Sequence, residues 1–105
     1  MREQRIAKLQ SLLEADPHDS FARYALALEY GGMEKTDLAI GLLEEVIRLD
    51  PRYVPAYQQL GYLYQRTDRK DDAIAIFREG MGQASQQGDS HARGEMQEAL
   101  DEIQG

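Results

Sequence analysis

The sequence lacks cysteine altogether and contains no long apolar run. The absence of cysteine excludes disulfide bonds, thiolate metal ligands and a cysteine nucleophile, and it suits a reducing compartment. No segment approaches the roughly 18 apolar residues of a membrane-spanning helix, and the charged, amphipathic N-terminal segment lacks the apolar core of a signal peptide. We therefore expect a cytoplasmic protein that does not enter a membrane.

Basic residues are also few. The 12 Lys and Arg residues are outnumbered by 19 Asp and Glu residues, so the net charge is −7. Nucleic acid binding needs a clustered basic surface that displaces counterions from phosphates, which excludes nucleic acid as a partner here. The acidic excess lies in residues 17–50 and 85–105. It indicates a solubilising surface, with an acidic docking surface for a basic partner as the alternative.

Side chains that could perform chemistry are scarce and scattered. His18 and His91 have no neighbouring ligands at the spacing of a zinc site. Adjacent carboxylates such as Glu44 and Glu45 belong to polar helix faces, where they stay solvated and cannot act as general acids. The glycine clusters do not follow a strand or precede the Lys-Ser/Thr pair of a phosphate-binding loop. We predict no catalytic residue, no metal and no cofactor, with an enzyme or metal-binding protein as the alternative of a different class.

The main feature of the sequence is an internal repeat. Residues 17–50 align without a gap on residues 51–84, an offset of 34 residues. The identical pairs are Pro17/Pro51, Ala22/Ala56, Leu26/Leu60, Tyr30/Tyr64, Asp37/Asp71, Ala39/Ala73, Ile40/Ile74 and Glu45/Glu79. The spacing of the apolar positions within each unit is that of a helix face, and the polar residues 66–72 predict a turn between two helices. Each unit is therefore expected to be a helical hairpin, with small residues at 27, 39, 61 and 73 where the two backbones approach.

These residues resemble the tetratricopeptide-repeat family, whose pattern places a large residue, Leu, Gly/Ala, Tyr, Ala, Phe and Pro at set intervals. The second unit supplies Tyr57, Leu60, Gly61, Tyr64, Ala73 and Phe77, and the first supplies Leu26, Ala27, Tyr30, Ala39, Leu43, Val46 and Pro51. Arg23 stands where the pattern has an aromatic residue, and we expect Phe21 to pack in its place. The resemblance implies an all-α fold, a TPR-like right-handed helical hairpin stack (α-α superhelix) of about six helices.

The resemblance also divides the chain, which is expected to be a single domain over residues 1–105. Residues 2–16 carry Ile6, Leu9, Leu12 and Leu13 on one face and form a leading half-repeat helix. Residues 17–50 and 51–84 are the two repeats, and residues 88–104 form a capping helix whose N-cap is Asp89 or Ser90. Two regions depart from the pattern. Gly80 and Gly82 each cost about 1 kcal/mol relative to Ala inside a helix, and Gly31-Gly32 predicts an early end to the first helix of repeat 1.

In this family the first helices of successive repeats line a concave groove. Carried over position by position, the resemblance implies the groove residues Phe21, Tyr24, Leu28, Pro55, Gln58, Tyr62 and Gln65, with Ala92 and Met96 from the capping helix. Tyrosine suits such a surface because it combines a large contact area with few rotatable bonds. The implied function is a non-enzymatic scaffold that binds a peptide or helix of a partner protein in this groove.

Two other uses of the groove residues stay open. They could form the interface of a homodimer, or they could be buried against the capping helix. Family members that hold the acidic tails of heat-shock chaperones use Lys, Asn and Arg here, whereas this chain has Tyr24, Leu28, Pro55, Gln58 and Gln59, and only Arg93 on the last helix fits that role. The resemblance therefore disfavours a chaperone tail as the partner.

Overall fold

The structure, a computed structural model, describes all 105 residues and contains six helices and no strand. The predicted all-α class and number of helices are confirmed. The helices are α1 (Arg2–Ala15), α2 (Ser20–Gly32), α3 (Thr36–Leu49), α4 (Val54–Arg66), α5 (Lys70–Gln86) and α6 (Ser90–Gln104). They divide into two compact units, Met1–Asp50 with α1 to α3 and Pro51–Gly105 with α4 to α6. The division falls where the sequence alignment separates the two repeats.

The first unit is held together by the hairpin of α2 and α3. Ala27 and Ala39 are almost completely buried, so the two helices approach at side chains of a single methyl group. The remaining buried side chains of this hairpin are Ala22, Leu26, Ile40, Leu43 and Val46. Helix α1 packs against α2, and none of its residues is fully buried.

The second unit is built around the ring of Phe77, which is fully buried. Helices α4 and α5 form the hairpin, and α6 packs against both of them. The Tyr57 hydroxyl donates a hydrogen bond of 2.7 Å to the carbonyl oxygen of Pro51, which ties the start of α4 to the preceding turn. The other buried side chains are Val54, Ala56, Leu60, Leu63, Tyr64, Ala73, Ala84, Ala92, Met96, Ala99 and Leu100.

The turns inside the two hairpins have the same geometry. Glu34 and Asp68 occupy equivalent positions and both adopt the left-handed conformation, with φ of 62° and 61°. Helices commonly end in this way because the reversal lets the next N–H groups reach the last carbonyls. Only residues 67–69 separate α4 from α5, so the predicted turn over 66–72 was too long. The charged residues 70–72 instead open α5, where acidic side chains favour the N-terminus.

Two further expectations about α2 were wrong. The helix does not stop at Gly31 but continues through Gly32, and the Met33 N–H still bonds the Glu29 carbonyl at 3.2 Å. Phe21 does not pack in place of the missing aromatic residue, because its side chain is 66% exposed. Residues two apart on a helix face different sides, so Phe21 cannot take the position of Arg23. Arg23 is itself half-buried. A hydrogen bond from Arg48 lowers the pKa of the Glu45 carboxyl, and the charge of Arg23 acts in the same direction.

Gly80 and Gly82, both residues of low helix propensity, have different structural roles in α5. The helix runs through both without interruption. A Cβ on Gly80 would lie 2.6 Å from Cβ of Tyr57 and 2.7 Å from Sδ of Met96, whereas a Cβ on Gly82 would meet nothing within 4 Å. Gly80 is therefore required for the close approach of α4 and α6 to α5. Gly82 has no such neighbour.

Alanine substitutions should separate these roles. Gly80→Ala is expected to destabilise the protein, because overpacking of about 1–3 kcal/mol exceeds the gain in helix propensity of about 1 kcal/mol. Gly82→Ala makes the same chemical change in open space and is expected to stabilise by up to about 1 kcal/mol. Urea unfolding followed by circular dichroism measures both. Shifts of the same sign would contradict this account of Gly80.

Candidate functional site

One side of α2 presents an apolar stripe to solvent. The helix begins at Asp19, whose carboxylate accepts a hydrogen bond of 2.9 Å from the Ala22 N–H. This register buries Ala22, Leu26 and Ala27 and leaves Phe21 and Leu28 on the opposite side of the helix, 66% and 43% exposed. Tyr24 lies between them and is half-buried, and burial raises the pKa of its hydroxyl. Three groove residues predicted from the sequence are thus brought together on one helix.

Helix α1 forms a second wall beside this stripe. The two helices enclose an open cleft of about 520 Å³, which we call the α1–α2 cleft. Its α1 wall consists of Arg5, Lys8, Leu9 and Leu12, and its α2 wall consists of Phe21, Ala25, Leu28 and Glu29. Leu12 is 42% exposed, so apolar surface faces solvent from both walls. The sequence predicted an apolar face on α1 but gave no indication that part of it would stay open.

An ion pair at one end ties the two walls of the cleft together. The Arg5 guanidinium donates to the Glu29 carboxylate, and Nε of Arg2 lies 3.8 Å from the same group. The hydrogen bond from Arg5 holds the pKa of Glu29 below its usual value, and the charges of Arg5 and Arg2 act in the same direction. Gln10 adds a hydrogen bond of 3.3 Å from its Nε2 to the Tyr30 hydroxyl. Polar contacts therefore position α1, which buries no side chain completely.

The corresponding stripe of α4 is more polar and is partly used within its own unit. Nε2 of Gln58 donates to the Tyr62 hydroxyl at 3.1 Å and to Oε1 of Glu95 on α6 at 3.2 Å. The ring of Tyr62 packs edge-on against Phe77, with 5.6 Å between the ring centroids. Pro55 is exposed near the start of the helix, and Gln65 is half-buried near its end. The structure thus places these four residues on α4 but shows Gln58 and Tyr62 engaged by neighbouring side chains.

Met96 and Ala92 do not line an exposed groove, which corrects the expectation from the sequence. Met96 is fully buried, and Ala92 is 8% exposed. The 34-residue period pairs Met96 with Leu28, but the N-cap of α6 is Asp89, two positions beyond the one that this period assigns. Counted from the caps, Met96 is equivalent to the buried Leu26. The longer helix α5 therefore shifted the register of α6 and turned Met96 into the core.

The structure contains neither a cluster of metal ligands nor a helix suited to crossing a membrane. His91 lies 3.3 Å from Glu95, one turn along the same helix. No group of three or more His, Asp and Glu side chains is arranged to hold a metal ion. No helix combines the length and the apolar character needed to traverse a bilayer.

Comparison with known proteins agrees with the geometry of the hairpins. The family model described as tetratricopeptide repeat matches residues 32–94. A tetratricopeptide repeat domain protein from Salinibacter ruber, solved by NMR, is 41% identical, with 84% of this chain and 89% of that one covered and a TM-score of 0.79. The chain belongs to the tetratricopeptide-repeat family. Members of this family are typically protein-interaction scaffolds without enzymatic activity.

Two other solved structures extend the comparison of this tetratricopeptide-repeat chain. A crystal structure of a tetratricopeptide repeat domain protein from Salinibacter ruber is 40% identical, covering 83% of this chain and 98% of that one, with a TM-score of 0.79. The type III secretion translocator chaperone SycD from Yersinia enterocolitica has a TM-score of 0.90 and covers 98% of this chain and 72% of that one. It is only 15% identical, so the likeness is one of fold alone. No curated protein matches the sequence.

The ion pair of the tetratricopeptide-repeat chain should make its stability depend on pH. The pKa of Glu29 is lowered in the folded state. The ion pair therefore contributes fully to stability at pH values above the unfolded-state pKa of 4.5, and this contribution is lost as the pH falls through the lower pKa of the folded state. Glu29→Gln should therefore destabilise at neutral pH, and its difference from wild type should vanish in acid. Urea unfolding between pH 7 and pH 3 measures this, with Glu14→Gln as the control outside the ion pair. A constant difference across the range would refute the assignment.

Proposed function

We propose that this protein binds a segment of a partner protein on the exposed stripe of α2 formed by Phe21, Tyr24 and Leu28. The proposal rests on the likeness to a family of interaction scaffolds and on the side of α2 that this family uses. It assigns no catalytic residue. Pro55 and Gln65 are the corresponding candidates on α4 of the second unit, taken by itself.

The observation that carries the proposal is the exposure of Phe21 and Leu28 on the same side of one helix. Phe21 is 66% exposed and Leu28 is 43% exposed. Covering such side chains removes apolar surface from water, at about 25 cal/mol per Å². A contiguous exposed patch of this kind is typical of a binding surface, whereas single exposed apolar residues are ordinary. The half-buried Tyr24 lies on the same helix and adds aromatic surface to the stripe.

The stripe of α4 supports binding less strongly than the stripe of α2. Gln58 and Tyr62 already hydrogen-bond each other, and Gln58 also bonds Glu95. A partner that used these groups would have to replace bonds that the unit makes for itself. Because such an exchange brings little net free energy, we expect α4 to contribute less than α2.

Selection of peptides against the protein tests the proposal. Peptides recovered from a phage-displayed library should bind the double variant Phe21→Ala/Leu28→Ala about tenfold or more weakly than wild type, because exposed anchors dominate such interfaces. Leu38→Ala is the matched control, since Leu38 is a 53% exposed leucine on α3 that lies outside the stripe. Peptides that bind wild type and the double variant equally would contradict the proposed site.

Self-association is the second candidate, because the same exposed stripe could pair with its copy. A stable homodimer buries roughly 800 Å² on each subunit. The exposed large apolar side chains beside the cleft are only Leu12, Phe21 and Leu28. We therefore expect light scattering to give the mass of one chain across a hundredfold dilution. Twice that mass at every concentration would instead make self-association the leading function.

A further inference from the structure

Helix α1 differs from α3 and α5 in how many of its residues are buried. Helices α3 and α5 are the second helices of hairpins, and each buries four residues, while α1 buries none. Helix α5 packs against two helices of its unit, α4 and α6, whereas α1 packs against α2. The apolar face of α1 is therefore only half covered, and Leu12 remains 42% exposed on the open side.

The second unit shows what occupies the equivalent place. Helices α2 and α6 begin alike, with Asp19-Ser20 and Asp89-Ser90, and the cap aspartate accepts a backbone N–H three residues on in both. Helix α2 packs on α1 as α6 packs on α5. In the second unit a third helix, α4, also lies against both members of the pair. No helix of the first unit has this place beside α1 and α2.

Specific contacts locate this third helix on the face that corresponds to the α1–α2 cleft. Gln58 of α4 bonds Glu95 of α6. Counted from the caps, Glu95 is equivalent to Ala25, which lines the cleft. On the other wall, the ring of Tyr62 of α4 packs against Phe77 of α5. The part of the α1–α2 cleft around Ala25 therefore has the position that a helix fills in the second unit, whereas His91 and Glu98, the equivalents of Phe21 and Leu28, stay exposed there.

The charges around the cleft describe the helix that would fit. Arg2, Arg5 and Lys8 are spaced by three residues along α1, in a chain whose net charge is −7. Arg5 and Arg2 share the single carboxylate of Glu29, and Lys8 makes no ion pair within the chain. The α1 wall thus carries an excess of positive charge above an apolar floor. A carboxylate on the edge of a bound helix would meet Lys8.

We propose that the α1–α2 cleft binds an amphipathic helix of a partner protein, with apolar residues against Leu12, Phe21 and Leu28 and an acidic flank along the Lys8 side. The bound helix lies where α4 lies in the second unit and extends over Phe21 and Leu28, which are apolar in α2 but polar at the equivalent positions of α6. The inference rests on the proposed function and adds the conformation and charge of the ligand and the role of α1. No helix of a second copy fits this description, because the other exposed large apolar residues of the chain are only Met1 and Leu38.

Synthetic peptides provide the probe. A fluorescent helix-forming peptide of about four turns carries leucines at i, i+3 and i+7 and glutamates on one flank. A second peptide has lysines in place of the glutamates, and a third has the same composition with the leucine spacing scrambled. Fluorescence anisotropy with the full chain should show binding of the glutamate peptide, weaker binding of the lysine peptide and no binding of the scrambled one. Added salt should reduce the difference between the first two.

Variants on α1 test whether the cleft is the site. Leu12→Asp should weaken the glutamate peptide about tenfold or more, because it places a charge in the apolar contact. Lys8→Glu should weaken it about threefold and should improve binding of the lysine peptide, since the charges are exchanged. Both residues are exposed, so the fold should survive, which circular dichroism checks. Leu38→Asp, at an exposed leucine outside the cleft, should leave both affinities unchanged.

The outcomes distinguish this inference from the function on which it rests. The cleft is supported as the site if Leu12→Asp weakens binding of the glutamate peptide and Lys8→Glu also improves binding of the lysine peptide. Binding that is lost on Phe21→Ala but unaffected by Leu12→Asp and Lys8→Glu overturns the role of α1 and leaves the proposed function intact. Binding that no variant on either helix weakens overturns both. A dimer of wild type that Leu12→Asp converts to a monomer overturns the partner helix in favour of a second copy.

Discussion

The contact between the ring of Phe77 and the backbone of Gly61 determines how closely the helices of the second unit approach. A Cβ on Gly61 would lie 2.5 Å from Cζ of Phe77, so no other residue fits at this position without displacing the ring. The equivalent residues of the first unit are Ala27 and Leu43, both almost completely buried. Gly61 is smaller than Ala27 and Phe77 is larger than Leu43, so the smaller residue on one helix is matched by the larger one on the other. The two hairpins conserve the combined volume of the contact rather than the residues that fill it.

Helices α2 and α6 show how the same local signal can serve different surfaces. Both begin with Asp-Ser and the same capping hydrogen bond, and both turn an apolar face towards a neighbouring helix. Their other faces differ, because Phe21 and Leu28 in α2 correspond to His91 and Glu98 in α6 when the helices are aligned on their caps. Helix α6 therefore presents polar groups where α2 presents apolar ones. The local capping signal therefore determines where each helix begins, and its side chains determine which surface the helix presents to solvent.

The sequence was sufficient to predict the helices, because each depends on local periodicity and on turn residues that recur after 34 positions. It failed where a residue's environment depends on a distant helix. Gly80 looked like a defect in α5, and only the approach of Tyr57 and Met96 from two other helices explains it. Met96 was assigned to the groove because the period was extended beyond α5, whose 17 residues exceed the 14 of α3. A change in helix length shifts every later position, which a fixed period cannot register.

The open cleft illustrates the same limit for function. The apolar residues of α1 have the spacing of a helix face, and that spacing is identical whether the face is covered by one neighbour or by two. Apolar residues have the spacing of a helix face in all three of α1, α3 and α5. Helices α3 and α5 bury four residues each and α1 buries none, so this periodicity shows only that a face could be buried. In the second unit α5 lies against two helices, α4 and α6, whereas in the first unit α1 lies against α2. The half-covered apolar face of α1 therefore retains apolar surface that burial against another helix would remove from water.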